Sequence, residues 1–369
     1  MKKNKIHRGD HAPVNEMTVK RASFASIFHL GPLRLTLFIV LFVLLSAAVP
    51  YAIYLEMGAR PLSLDDRWLS WPFLSACVAL LTLYFSTDGL RLYYTLKALG
   101  CRIPLREIGP LVFINILVSN ITPMATGGGF AQIWYLRRQG VHIGAATAAT
   151  TLRTLQAVAL IFLPTPFLLL FMPSLQNNPL MDRVAMYLAF FAVVYLVFFA
   201  IVLLRMHWIM ALVDAVLRRL DRYGVVEHVR LRRWRFGVRR ELIRFSHAFR
   251  AFFKGPRSDR LLAMFFTALF LLILFSFPAL LLWGLDYRVD YFTSVGLLVV
   301  TTFIMYFSPT PGAAGIAEGV FGLFFASLVD AGDLLLAIVA WRFLTIHLGM
   351  LLGVPVTLRA VFAKRRRNA

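Results

Sequence analysis

Two arginines, Arg153 and Arg342, stand inside long apolar stretches of this chain, and each follows a turn rich in proline and glycine. A guanidinium in hydrocarbon is costly unless it is paired, so both call for partners. The first turn reads Asn120-Ile-Thr-Pro123-Met-Ala-Thr126-Gly127-Gly128-Gly129-Phe-Ala-Gln132. The second reads Ser308-Pro-Thr310-Pro311-Gly312-Ala-Ala-Gly315-Ile-Ala-Glu318. A planar guanidinium suits bidentate contact with phosphate, and backbone N–H groups at the start of a half-helix favour the same anion. Two arginines and two glycine-rich turns thus make two steps for one travelling anionic headgroup. The expected substrate-binding residues are Arg153, Arg342, Glu318, Gln132, Asn120, Thr126, Gly127, Gly128, Gly129, Thr310, Pro311, Gly312 and Gly315. No catalytic residue, metal site or cofactor is expected.

Each of these groups also has a plainer reading. Arg342 can pair within the chain with Glu318, and Arg153 can hydrogen-bond Gln132, Gln156 or turn carbonyls. Glu318 can instead exchange protons and couple transport to a proton gradient. His347 reads as a packed histidine or as a relay. Asp88 and Arg91, at the inner end of an apolar span, read as an interfacial pair. Asn115 and Asn120 either satisfy freed backbone groups or touch substrate. Cys77 and Cys101 have neither metal nor redox spacing.

The elements that must position these groups follow from composition. Fifty-nine percent of the 369 residues are apolar, 33 are Phe, and only 15% are charged; a soluble domain carries roughly a quarter charged. A soluble enzyme, a secreted disulfide scaffold and a disordered chain are excluded. The net charge of +21 lies beside the apolar runs, as topology rules and attraction to anionic headgroups require. Without an aromatic-basic motif or a Cys/His finger, nucleic acid is not an expected partner. The N-terminus is polar for over 30 residues, so the first span is expected to be an uncleaved anchor.

Six segments are long enough to cross a bilayer core of roughly 30 Å: 34–55, 69–90, 144–172, 184–205, 261–285 and 333–357. Two more, 108–136 and 291–329, are broken at their centres by Pro and Gly. Basic residues flank both ends of 108–136, whereas Asp286, Asp290, Asp330 and Asp333 flank 291–329. The expected fold is all-α and polytopic, with six crossings and two re-entrant hairpins entering from opposite sides. Both termini are expected on the cytoplasmic side of the inner membrane. The expected divisions are a basic N-terminal segment 1–33, a membrane domain 34–358 and a basic tail 359–369. Within the membrane domain, 205–260 carries 15 Lys/Arg against five Asp/Glu and reads as amphipathic helices on an anionic leaflet or as a basic linker.

The two hairpins also match each other. Arg153 lies 30 residues after Pro123 and Arg342 lies 31 after Pro311. Units 69–172 and 261–357 therefore read as an inverted repeat, the plan of alternating-access transporters with a site where broken helices meet. Proline is expected to end each entering half-helix and glycine to permit the reversal and close backbone approach. The leading expectation is a translocase moving an anionic phospholipid or lipid-linked precursor between leaflets. A membrane-embedded transferase acting on lipid phosphates, an ion-coupled carrier of small solutes and a structural partner role are the alternatives. A homodimer is compatible with the sequence.

The stretches Thr122-Pro-Met-Ala-Thr-Gly-Gly-Gly-Phe-Ala-Gln-Ile-Trp-Tyr-Leu-Arg-Arg-Gln-Gly-Val and Pro309-Thr-Pro-Gly-Ala-Ala-Gly-Ile-Ala-Glu-Gly resemble the lysylphosphatidylglycerol synthase/flippase transmembrane family. The resemblance covers about residues 30–358; the two hairpins and the arginines after them are its most specific parts. It implies a flippase-like membrane region. The aminoacyl-transfer domain fused to the best known members is expected to be absent, since the chain ends 12 residues past the last expected span. Many members carry Gly-Glu where this chain has Gly128-Gly129, so headgroup preference does not transfer.

Overall fold

The computed structural model describes residues 66–176, 179–204 and 249–362, with isolated positions between 40 and 55 and at 219 and 247. Segment 1–33, part of the expected first span, nearly all of 205–248 and the tail beyond 362 lie outside the described residues. Every regular element among the described residues is helical.

Helix α1 (Trp71–Ala98) starts with Pro72 in its first turn, where the missing N–H has no intrahelical partner to lose. It runs eight residues beyond the expected end at 90. Asp88 and Arg91 looked like the end of a span, yet the helix continues through them, and within it they are paired with each other. The short helices α2 (Ile108–Asn120) and α3 (Thr126–Arg138) follow, joined by a tight turn. Next come α4 (Ile143–Phe162) and α5 (Thr165–Phe171), separated at Leu163-Pro164, where the ring of Pro164 interrupts the backbone ladder.

Helix α6 (Pro179–Leu204) leads to the second half. There α7 (Arg257–Gly284) is followed by the short pair α8 (Tyr291–Met305) and α9 (Ile316–Phe325). The final stretch is α10 (Ala331–Arg342), a π-helical turn over Phe343–His347, and α11 (Leu348–Phe362). The order of long helix, short helix, turn, short helix and long helix thus occurs twice. Four stretches have the length and apolarity to cross a membrane: Trp71–Ala98, Ile143–Phe171, Arg257–Gly284 and Ala331–Phe362.

The two turns reverse by different means, and the first departs from expectation. Its left-handed residues are Met124 and Ala125, both at φ 52°, although a side chain there costs roughly 1–2 kcal/mol. Gly127 and Gly128 belong to α3 and serve packing instead. A Cβ on Gly128 would stand 1.8 Å from Ser119 Oγ on α2. The second turn follows expectation, with Gly312 at φ 57° and Gly315 at φ 86°, alongside Ala313 at φ 55°.

Helices α1 and α7 pack most extensively, and α2 packs against both α3 and α11. The α2–α11 approach runs through Gly349 and Gly353, whose Cβ positions would lie 2.9 Å from Ile116 Cγ2 and 2.7 Å from the Phe113 carbonyl oxygen. This four-residue glycine spacing lets membrane helices come close. The two turns touch one another, and Phe42 packs on Gly312.

Two apolar cores result. One joins α1 and α4–α10 around Phe162, Phe277, Phe303 and Phe321. The other surrounds the first hairpin through Leu92, Leu111, Ile114 and Leu136. Along α1, Tyr84 belongs to the first core and Leu92 to the second; Asp88 and Arg91 fall between them.

Candidate functional site

The first charged cluster grows from α1. Asp88 and Arg91 are three residues apart, so they share a helix face. Asp88 Oδ1 accepts from Arg91 Nε at 2.8 Å and lies 2.5 Å from both Arg91 Nη2 and Arg153 Nη2. All three residues are buried, at 3%, 7% and 6% exposure. The Arg91 guanidinium also lies 3.7 Å from the centre of the Phe270 ring on α7, a cation–π contact that adds to its attraction to Asp88. One carboxylate therefore serves two guanidiniums. Arg153 Nε has no hydrogen-bond partner among the described residues.

The second cluster grows from the other turn. Glu318, in the first turn of α9, accepts the Gly315 backbone N–H through Oε2 at 2.7 Å. Its Oε1 lies 2.7 Å from Arg342 Nε. Arg342 Nη2 donates to the Gly312 carbonyl at 2.8 Å, which ties the left-handed turn to α10. Arg342 Nη1 has no partner among the described residues. The π-helical turn begins at once after Arg342, and the Arg342 carbonyl lies 3.1 Å from His347 Nδ1. His347 also packs against the Phe42 ring.

Two adjoining cavities, of about 410 and 220 Å³, join these clusters. Arg91, Arg153, Asn115, Ser119, Asn120 and Phe270 line both. The smaller reaches Asp88 and Arg342, with Trp341 and Thr345 beside them. The larger reaches Gln132, Gly129, Thr310 and Gly312 and has an apolar side of Ala157, Ile161, Leu271 and Leu274. Met124 and Ala125, both exposed, also contribute to its wall.

The structure brings Arg153, Arg342, Gln132, Asn120, Gly129, Thr310 and Gly312 to these walls. Gln132 is 2% exposed, and its Nε2 has no partner among the described residues. Asn120 Nδ2 donates to the Ile116 carbonyl, so it satisfies the end of α2 while facing the cavity. Thr310 Oγ1 donates to the Ala314 carbonyl.

The remaining expected residues build the site without lining it. Glu318 holds Arg342 and the turn. Thr126 is exposed and donates to the Pro123 carbonyl. The Gly127 N–H donates to Thr122 Oγ1 at 2.9 Å, and Gly128 packs against α2. Pro311 and Gly315 shape the second turn.

Two expectations are corrected. Arg153 pairs with Asp88, not with Gln132, Gln156 or turn carbonyls, and Gln156 is instead bonded to Thr267. Asp88 and Arg91 pair as expected, but both are buried, and Asp88 also takes Arg153, so the pair is the centre of a cluster and does not stand alone at a span's end. The missed signal was their three-residue spacing within an otherwise apolar helix. Asn115 and Ser119 line the cavity one turn apart on α2; sequence reading placed only the former near the site. Among the described residues no three His, Cys, Asp or Glu side chains converge.

Comparison with known proteins places this geometry in a family context. The family described as the lysylphosphatidylglycerol synthase TM region matches residues 33–353. No curated protein matches the chain.

Proposed function

Since the chain belongs to the lysylphosphatidylglycerol synthase transmembrane family, a group of multi-pass membrane proteins tied to lipid modification or flipping, we propose that it is a translocase for an anionic phospholipid or lipid-linked precursor. One observation carries this reading. A cavity lined by surplus guanidinium at one end and aliphatic side chains at the other has the two-sided chemistry of a lipid, with headgroup phosphate at Arg91 and Arg153 and acyl chains along Ile161, Leu271 and Leu274.

The topology belongs to the same proposal. The arms of the two broken pairs have 10–15 residues, or about 15–22 Å at 1.5 Å per residue. That is short of a bilayer core of roughly 30 Å. The pairs therefore enter and return as re-entrant hairpins, giving six crossings with the first span included. Their open backbone ends are tolerable at membrane depth because they meet inside protein around a cavity. Basic flanks and the positive-inside rule support a scheme with both termini on the cytoplasmic face of the inner membrane, the two units running in opposite senses as an inverted repeat.

In this scheme Arg91 and Arg153 take the phosphate first. Arg342, held by Glu318 and Gly312, offers its unpartnered Nη1 as the second step when the turns shift. A charge-assisted hydrogen bond is worth about 1.5–3 kcal/mol, so losing one lowers transfer about 10- to 150-fold. Arg153→Gln and Arg342→Gln are each expected to reduce headgroup exposure by that order in a leaflet-accessibility assay, while the protein still inserts. Normal exposure in both variants would remove these residues from the path.

A further inference from the structure

We infer that the headgroup carried is a singly charged phosphodiester without an ammonium group, and that the site disfavours aminoacylated and zwitterionic headgroups. This rests on the lipid-translocation reading above and names the substrate class for the same cavity. Across the two clusters, Arg91, Arg153 and Arg342 face Asp88 and Glu318: three positive charges against two negative, leaving one positive charge for a ligand to neutralise. Unpaired charge in a low-dielectric site is strongly unfavourable, so the bound headgroup must supply one negative charge.

The donors left over agree with that count. Arg153 Nε and Gln132 Nε2 are buried, line or adjoin the larger cavity, and have no partner among the described residues. Both are N–H donors waiting for an acceptor, and phosphate oxygens and glycerol hydroxyls accept. An ammonium group meets the reverse situation. Among the described lining residues of both cavities the one carboxylate is Asp88, and its Oδ1 already takes both arginines. Glu318 is engaged by Arg342 and Gly315 and does not line either cavity. Lysylphosphatidylglycerol, with two ammonium groups against one phosphate, would add positive charge to a site that already has an excess.

The test uses the full-length protein in phosphatidylcholine vesicles with acyl-chain-labelled phosphatidylglycerol, phosphatidylethanolamine or lysylphosphatidylglycerol. Dithionite quenching reads transfer of each lipid. Phosphatidylglycerol is expected to move about 30-fold faster than either amine-bearing lipid. Gln132→Glu adds a carboxylate at nearly constant shape and is expected to shrink that ratio below about threefold, whereas Gln132→Ala removes a donor but keeps the site charge, so it is expected to slow all three lipids and keep the ratio. Equal rates for the three lipids, or an unchanged ratio in Gln132→Glu, overturn the charge rule while leaving translocation standing.

A parallel arm measures retention of the same lipids by the detergent-purified protein. Selective retention of phosphatidylglycerol without any transfer would refute translocation and leave the charge rule intact; an outcome with neither transfer of any lipid nor selective retention refutes both. Vesicles loaded with soluble glycerophosphoglycerol supply a last arm. Its release without lipid transfer identifies a solute path and overturns a lipid headgroup as the cargo.

Discussion

Asp88 decides the energetics at the residue scale. It is the shared counter-charge for Arg91 and Arg153, so its removal leaves two buried guanidiniums facing each other. Breaking such an arrangement destabilises by about 3–5 kcal/mol. Removing Arg153 instead leaves a neutral Asp88–Arg91 pair. Unfolding of the purified protein in detergent should therefore show Asp88→Asn losing about 3 kcal/mol or more, and Arg153→Gln losing about 1 kcal/mol. Equal losses would contradict the shared carboxylate.

A second prediction concerns the loop after α7. The Tyr287 hydroxyl donates to Asp333 at 2.8 Å and to Asp330 at 3.0 Å, tying that loop to the start of α10. Partial burial, then the Asp333 hydrogen bond, push its pKa from 10 up to about 12. A group whose folded pKa is raised stabilises fully below its unfolded pKa and loses that contribution as pH climbs through the folded value. The tie should hold below pH 10 and weaken from 10 to 12. Tyr287→Phe should remove that part of the alkaline dependence in a thermal-unfolding series.

At the scale of elements, neighbouring glycines in α3 have opposite duties. Gly128 has Ser119 Oγ at 1.8 Å and Asn115 Oδ1 at 2.6 Å from its Cβ position, whereas Gly129 has nothing within 4 Å. Gly128→Ala must push α2 from α3 and should cost about 1–3 kcal/mol. Gly129→Ala adds a better helix former into open space and should gain up to about 1 kcal/mol. Thermal midpoints of the two variants moving the same way would contradict this hairpin packing. The sequence legibly marked both breaks, because Pro and Gly disfavour helix locally. It did not show that Met124 and Ala125 take the left-handed positions of the first turn. The close α2–α3 contact uses the glycines beside them, and the reversal falls on the residues left over.

For the whole molecule, the re-entrant hairpins make a topological prediction. In a Cys77→Ala, Cys101→Ser background, single cysteines at Arg106 and Arg137 flank the first hairpin, and those at Arg288 and Ala331 flank the second; all four positions are exposed. An impermeant maleimide should label the first two from one side of the membrane and the last two from the other. Opposite-side labelling within either pair would turn that hairpin into a crossing.

The amino-acid sequence alone determined an all-helical membrane chain, where its long apolar stretches lie, where two of them break, and that Glu318 was an available partner for Arg342. The helical stretches and their breaks are local properties, since hydropathy and propensity act within a few turns; Glu318 could be named because it is the one carboxylate in the second broken stretch, ahead of Arg342. Only the tertiary structure decided that Asp88, 65 residues before Arg153, would hold it, and that the helix carrying Asp88 would continue eight residues past the expected end of its span. It also decided that the two turns would meet around a shared cavity. Such choices depend on which helix faces pack together, and a buried charge takes whichever counter-charge that packing delivers.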